Sequence, residues 1–485
     1  MFFIAPPLAP DVKQANRRSR IVSGAWLSGA AVVLLLVNVL LFFGCKYFVT
    51  SPQGLYHRVW QAAAENIYDP AALKDWKQWE HKYDSQIHSN DDAVKYSNEM
   101  LKSLGDRYTF LQGTQAVKAE DERSEGHFTG VGITFGVKLD AAGKPVNAAD
   151  GKPLPEASDD GYPLVKQVIR GGPAKQSGVQ AGDAITSVNG KPTQGLSVDQ
   201  LVQQIRGEAG TQVIFGLRRN GQDSTMSVTR QTINVPVVET KKLPGDIGYL
   251  RLEDFAQYNS ADEFKKGLEE LKSSKGLIID LRGNPGGFIN NSLSISSFFI
   301  EEGKIVTIKS RIPGDGYETK TTRLTKGALI TETTTTGSSK VVVESGTREP
   351  FLVGNKPVVV LVDGNTASAA EMTTGALKDN KRVTVIGTRT FGKGIGQSLL
   401  PMPNGTRLHI TSLRYFTPNG TWLGDGGNSE SHGIEPNIEV QPAKDDLQFG
   451  EQGDNQLQKG IEWLQSQIGK SSAVPAFVTV KCRSC

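Results

Sequence analysis

The sequence predicts a multidomain chain that mixes α+β and α/β parts behind one N-terminal transmembrane helix, and three observations point to it. The run from Ile21 to Cys45 carries no charge and is flanked by Arg17, Arg18 and Arg20 on one side and Lys46 on the other. Two apolar runs, around Leu277 to Leu281 and Val358 to Val362, stop at turn residues and sit beside stretches with helical spacing, as strand, helix, strand units do. The length, 485 residues, allows roughly three domains. Hydrophobic residues make up 38% and charged residues 22%, an ordinary globular balance. With 54 basic against 51 acidic residues and no basic run interleaved with aromatics, nothing suggests a nucleic-acid partner.

The first 20 residues read as a cytoplasmic N-terminus. As a helix, 21–45 would span about 37 Å at 1.5 Å per residue, enough for a hydrocarbon core of about 30 Å. A cleaved signal peptide is the rival, but its apolar region usually covers only about 7 to 15 residues and no small-x-small cleavage site is clear. A lipoprotein reading fits less well, because Phe42 and Phe43 stand before Cys45 where small residues are wanted. The denser arginine cluster before the span places the N-terminus inside, so the remainder is expected at the cell membrane on the extracytoplasmic side, periplasm or envelope. The three cysteines make no disulfide framework, and Cys482 and Cys485 are too few for a zinc site.

From 53 to 125, Leu55, Val59, Trp60, Ala93, Tyr96, Met100, Leu101 and Leu104 recur at helical spacing and give a small helical region. Residues 128–232 form a second module, in which the glycine-containing turn Gly130-Val131-Gly132-Ile133 can form a nest of amides for a terminal carboxylate beside a strand edge that pairs with an extended peptide. Asp140 to Gly161, rich in Ala, Asp, Pro and Gly, is expected as a surface insertion. The third module, 247–442, opens with a strand at Ile247 to Leu252, a helix over 260–273 and a buried strand ending in Gly283-Asn284-Pro285-Gly286-Gly287, so a mixed or parallel sheet covered by helices is expected. Asp280 and Arg282 are assigned a structural ion pair rather than acid/base chemistry. An insertion at about 313–353, Thr-rich at Thr331 to Thr336, is expected to be an exposed loop or hairpin. The tail, 443–485, holds one helix-like stretch and no identifiable chemistry.

The chemistry is concentrated between Pro357 and Gln397. Ser368 falls where a strand hands over to an Ala-rich helix, a junction that exposes a hydroxyl while aiming the free amides of the first helical turn at a reacting oxygen. A serine hydroxyl needs a base, and none of the six histidines lies in this stretch. Lys393, in the loop Thr390-Phe391-Gly392-Lys393-Gly394, can serve only when neutral. A free lysine near pKa 10.4 rarely is at neutral pH, but burial can lower its pKa by roughly 3 to 5 units. Gln397 could accept from the lysine amine and hold it without adding a charge that would fix the proton there.

At these residues the chain resembles the C-terminal processing (carboxyl-terminal, tail-specific) serine peptidases. The resemblance rests on Gly364-Asn365-Thr366-Ala367-Ser368-Ala369-Ala370-Glu371, on Thr390 to Gly394 and on a Gln four positions after the Lys. It extends to Met100 to Thr109 and to the closing segments Tyr415 to Gly420 and Gly433 to Pro436. With Gly172-Pro173-Ala174, Ala181-Gly182-Asp183 and Asn189-Gly190, the second module resembles a PDZ domain, a β-sandwich with two helices. The resemblance implies a crotonase/ClpP-like mixed sheet-and-helix catalytic domain with Ser368 as nucleophile, Lys393 as general base and Gln397 as its orienting partner. It also implies an oxyanion hole from the Ala369 amide and a glycine amide of Gly286 or Gly287, with Gly287 preferred. Val131, Gly132, Ile133 and Arg206 would meet the substrate, and Arg206 would couple docking to cleavage. No metal or organic cofactor is implied. The expected partners are proteins or peptides held by their C-terminus and the membrane, and a homo-oligomer is compatible with this reading. Two rivals are a PDZ adaptor with an inert peptidase domain and a crotonase-like enzyme, which would need an acyl-CoA site and would leave the PDZ module unexplained.

Overall fold

Every side chain of the strands Gly276–Asp280 and Val358–Val362 is buried in the computed structural model, which describes residues 50–471 apart from 142–143, 170, 313–315, 444–448 and 452. The two strands pair in parallel, Ile279 opposite Val360. They form the middle of a six-stranded sheet ordered Val238–Leu243, Ile247–Leu252, Gly276–Asp280, Val358–Val362, Thr384–Gly387, Ile438–Glu439. Only the first of these runs antiparallel to its neighbour. Because successive strand side chains face opposite sides, Leu277, Ile279, Val358 and Val360 join one core with Phe264, Phe298 and Met372 from helices Ser260–Glu270, Ile289–Phe299 and Ala369–Asp379. Ile278, Val359 and Leu361 meet Leu457 and Leu464 of helix Asn455–Ser471 on the other face. The tail, in which no chemistry was identified, therefore packs on the second face of the sheet.

A second, antiparallel sheet is ordered Phe110–Gln112, Arg407–Phe416, Gly303–Ile312, Gly316–Leu324, Leu329–Thr335, Val341–Gly346, with Ile395–Pro401 also pairing to Arg407–Phe416. The segment expected as an exposed loop or hairpin thus supplies three of its strands. Threonine is β-branched and suits a half-buried pleated surface. Here Thr322 Oγ1 lies 3.3 Å from Thr331 Oγ1 across the strands. Helices Pro52–Asn66 and Asn90–Lys102 pack their apolar faces on Leu408 and Ile410 of this sheet. Ser51 caps the first helix and a Ser89/Asp92 capping box opens the second. The helical region and the catalytic domain, separate in the sequence reading, form one compact unit that includes the described residues up to Lys118 and from Val237 on.

The other unit spans Ala119–Pro236. Its four-stranded sheet is ordered Lys191–Pro192, Ala184–Val188, Gln212–Arg219, Gln222–Thr229, and its helices are Pro173–Gln176 and Val198–Ile205. Asp183, fully buried, is clamped by Arg219 through Nε and Nη2 at 2.5 and 2.7 Å and accepts the Gln180 amide at 2.8 Å. The Asp140 to Gly161 insertion bridges within itself at Asn147–Pro153 and to the residue before it at Leu139–Pro145. No helix among the described residues is long and apolar enough to cross a membrane, and the run at 21–45 lies outside them, as do Cys45, Cys482 and Cys485.

Candidate active site

The turn after Val358–Val362 is fixed by hydrogen bonds to its neighbour strand's loop. Thr366 Oγ1 donates to Leu281 O at 2.8 Å and accepts the Asp363 amide at 3.0 Å, while the Ala367 amide donates to Asn284 O at 2.9 Å. Ser368 follows at φ 55°, ψ −119°, outside the regions that L-residues prefer, then helix Ala369–Asp379 begins. Such a conformation persists only when its surroundings over-determine it.

Glu371, fully buried, supplies that constraint. Its Oε2 accepts the backbone amides of Ser368 and Lys393, each at 2.9 Å, and Oε1 accepts the Gly392 amide at 2.7 Å and the Thr390 hydroxyl at 2.6 Å. Two such bonds to one oxygen leave the nitrogens of residues 368 and 393 no further apart than twice that length. Burial pushes the Glu371 carboxyl up, and the hydrogen bonds from Thr390, Gly392, Lys393 and Ser368 pull the other way. Three of the four partners are backbone amides, which can only donate and favour the charged form, but burial outweighs them and the carboxyl lies above its ordinary range; Thr390 Oγ1 also accepts the Ile434 amide at 2.7 Å. From the opposite side the buried Tyr415 hydroxyl shares its proton between Lys393 O at 2.6 Å and Ser368 O at 3.0 Å. The turn at Ser368 and the loop at Lys393 are held by the same two side chains.

The Lys393 amine is largely buried, and burial is the main cause that lowers its pKa; Arg107 acts in the same direction, while Asp106 and Glu371 oppose. Its Nζ stands over the Tyr108 ring, 4.2 Å from the centroid, and Tyr108 is itself held by a 2.8 Å bond from its hydroxyl to Gly426 O. Ser368 Oγ and Lys393 Nζ are not hydrogen-bonded to each other in this structure. Gln397 sits opposite Thr411 on the neighbouring strand and donates to Thr411 Oγ1 at 3.0 Å, rather than meeting the lysine amine.

The glycine pair lies against the serine. A β-carbon on Gly286, at φ 93°, would fall 2.7 Å from both Ser368 Cβ and Ala369 N, and one on Gly287, at φ 150°, would fall 2.2 Å from the Phe255 carbonyl carbon. The Gly286 amide is occupied, donating to Asn284 Oδ1 at 2.9 Å. The amides of Gly287 and Ala369 have no acceptor among the described residues, which distinguishes Gly287 from Gly286. Asp280 and Arg282 form the ion pair assigned to them, and Arg282 also binds Asp454 at 2.6 Å and 2.8 Å. In the other unit, Val131 is buried with its carbonyl accepting the Ala174 amide at 2.8 Å, the Gly132 carbonyl accepts the Ile169 amide at 2.9 Å, and Ile133 opens a strand opposite Val168. Arg206 is exposed at the end of helix Val198–Ile205.

Among the described residues one histidine and carboxylate group, His57, His81 and Asp84, brings donor atoms within 4.8 Å of one another; it belongs to the helical region and contacts neither Ser368 nor Lys393. A cavity of about 620 Å³ is lined by Asn98, Asp106, Arg107, Phe110 and Asn428, and another of about 330 Å³ by Arg282, Asp363, Phe449 and Asp454; neither is lined by Ser368 or Lys393. Sequence reasoning missed Glu371, Tyr415, Tyr108 and Asp454 as parts of the site or its support. Only Glu371 had a local signal, since Ser-x-x-Glu at a helix start is a capping-box pattern.

The comparisons point to a peptidase domain carried on the same chain as a PDZ module. Residues 246–440 match Peptidase family S41, and residues 164–219 match a PDZ domain. The chain is 29% identical over 394 residues to a carboxy-terminal-processing protease of Bartonella bacilliformis, covering 79% of this chain and 77% of that one. It is 27% identical over 415 residues to the carboxy-terminal processing protease CtpA of Bacillus subtilis, covering 84% and 76%. A solved structure of a photosystem II D1 C-terminal processing protease aligns at 25% identity and a TM-score of 0.43, over 81% of this chain and 93% of that one. Over residues 246–440 the chain is thus similar to family S41 and over 164–219 to a PDZ domain, and the curated relatives it resembles are named carboxy-terminal processing proteases.

Proposed function

We propose that this chain is a membrane-tethered serine endopeptidase that captures the C-terminus of a protein substrate on its PDZ domain and cleaves upstream with a Ser368–Lys393 dyad. The observation that carries this reading is the Glu371 cage, which ties the backbones of Ser368 and Lys393 to one carboxylate while the lysine amine is desolvated. Neutral Lys393 takes the Ser368 proton as Oγ attacks the scissile carbonyl. The amides of Ala369 and Gly287 receive the oxyanion, and the lysine ammonium then protonates the leaving amine. Water releases the acyl group by the reverse path. To reach Oγ, the lysine side chain swings off the Tyr108 ring, and Gln397 turns from Thr411 to orient the amine. Val131, Gly132, Ile133 and Arg206 line the tail-binding edge. The uncharged run at 21–45 supplies the tether and, with the arginine cluster before it, puts the peptidase outside the cytoplasm.

The test is cleavage of one peptide carrying a free or an amidated C-terminus, followed by mass spectrometry. Wild type should cut the free-tailed peptide with a KM about tenfold or more below that for the amidated one, the loss expected for removing a charge held by backbone amides. Ser368→Ala should bind both and cut neither. Equal cutting of the two peptides would remove the tail-capture step, and binding without cleavage by wild type would favour the adaptor reading.

A further inference from the structure

Among the described residues the last strand of the second sheet, Val341–Gly346, pairs only with Leu329–Thr335, and none of them pairs with its other edge. All six of its residues are exposed, with Val341 at 52%, Val342 at 43% and Val343 at 60%. An open edge with three adjacent valines, no proline and no bulge in its pairing is what soluble proteins normally avoid, because unpaired amides and carbonyls template another strand. The valines are bracketed by Lys340 and Glu344, both exposed, and neither forms an ion pair with any described residue.

That pattern is self-complementary. If two copies of the strand meet antiparallel about a two-fold axis through Val342, Lys340 of each faces Glu344 of the other, Val341 faces Val343, and Val342 faces itself. Shifting the axis by one residue sets a charge against a valine at both ends. Directly opposed residues in such a pair have Cβ atoms about 4.5 to 5.5 Å apart, within reach for both ion pairs. We infer that Lys340–Glu344 is a homodimerisation edge, through which a second copy of this chain extends the antiparallel sheet. Three strands of the sheet separate this edge from Arg407–Phe416, which holds Tyr415, so the pairing leaves Ser368 and Lys393 out of the interface. The inference stands apart from the peptidase reading and survives if that reading fails.

The experiment measures the mass of the detergent-solubilised full chain by light scattering across a dilution series, with circular dichroism to check folding. Wild type should be a dimer. Lys340→Glu and Glu344→Lys should each weaken dimerisation by about tenfold or more, because each reversal places like charges together twice across the axis. The double variant, K340E with E344K, should restore it. A wild type that is monomeric throughout, a dimer indifferent to either single reversal, or a double variant no better than the singles would overturn the proposal. So would reversals that change peptide KM while leaving mass unchanged, which would assign the edge to a substrate strand.

Discussion

At the residue scale the balance rests on two buried groups of opposite charge tendency. Burial pushes the Glu371 carboxyl up against four hydrogen-bond donors that pull it down, and its negative charge opposes the desolvation that favours neutral Lys393. Nature's compromise is a lysine whose pKa is below its ordinary value by burial first, so kcat/KM should rise with pH along one acidic limb that lies below 10.5, the unshifted value. Stability follows the same sign. Below the folded pKa the buried ammonium costs its full penalty, and the penalty disappears as pH rises through the folded pKa toward the unfolded one. Glu371→Gln removes the opposing charge, so the limb should move to lower pH. It also leaves at least one of the amides at 368, 392 and 393 or the Thr390 hydroxyl without an acceptor, costing about 1 to 3 kcal/mol, readable by thermal melting. A limb that stays put in this variant would mean that Lys393 is not the group titrating. Ser368 and Lys393 could be singled out in the sequence because each sits at a local feature, a strand-to-helix turn and a glycine loop, whereas Gln397, chosen for its spacing from the lysine, meets Thr411 instead. The fourfold role of Glu371 was not, since three of its donors lie about twenty residues away and meet it only through the fold.

At the scale of elements, the helix Asn455–Ser471 is attached at its start by one buried cluster. Asp454 accepts two bonds from Arg282 and caps the helix by accepting the Leu457 amide at 3.0 Å. Burial alone would raise the Asp454 pKa, but the Arg282 bonds outweigh it and hold the carboxyl below its ordinary value. That contribution is present above the unfolded carboxylate pKa and is lost as pH falls through the folded one. Asp454→Ala should therefore cost about 3 kcal/mol at neutral pH, measured by urea unfolding, with little of that difference remaining in acid. A cost that does not shrink in acid would assign the loss to packing. The sequence revealed the Asp280–Arg282 pair because the two residues share a strand end, while its third member is 172 residues away from Arg282. The Thr-rich segment, expected as an exposed loop or hairpin, is the hairpin and not the loop, and it continues a larger sheet. Polar composition reads as loop, whereas Thr321, Thr322, Thr331 and Thr333 become strand residues once neighbouring strands supply cross-strand partners.

At the scale of the molecule, module order and most strands of the catalytic sheet were readable, since fully buried parallel strands announce themselves as unbroken apolar runs. What stayed hidden was association between distant segments: the helical region joins the catalytic unit through Leu408 and Ile410, and Tyr108 reaches the Lys393 amine from that same region. The proposed cleavage depends on a covalent step at one residue, Ser368. Its most direct test is intact-mass and peptide-mapping spectrometry of the full chain quenched during turnover of a free-tailed substrate. An adduct of the substrate's N-terminal product is expected on the peptide bearing Ser368, absent from Ser368→Ala. Continued hydrolysis by Ser368→Ala, or an adduct on any other residue, would contradict it.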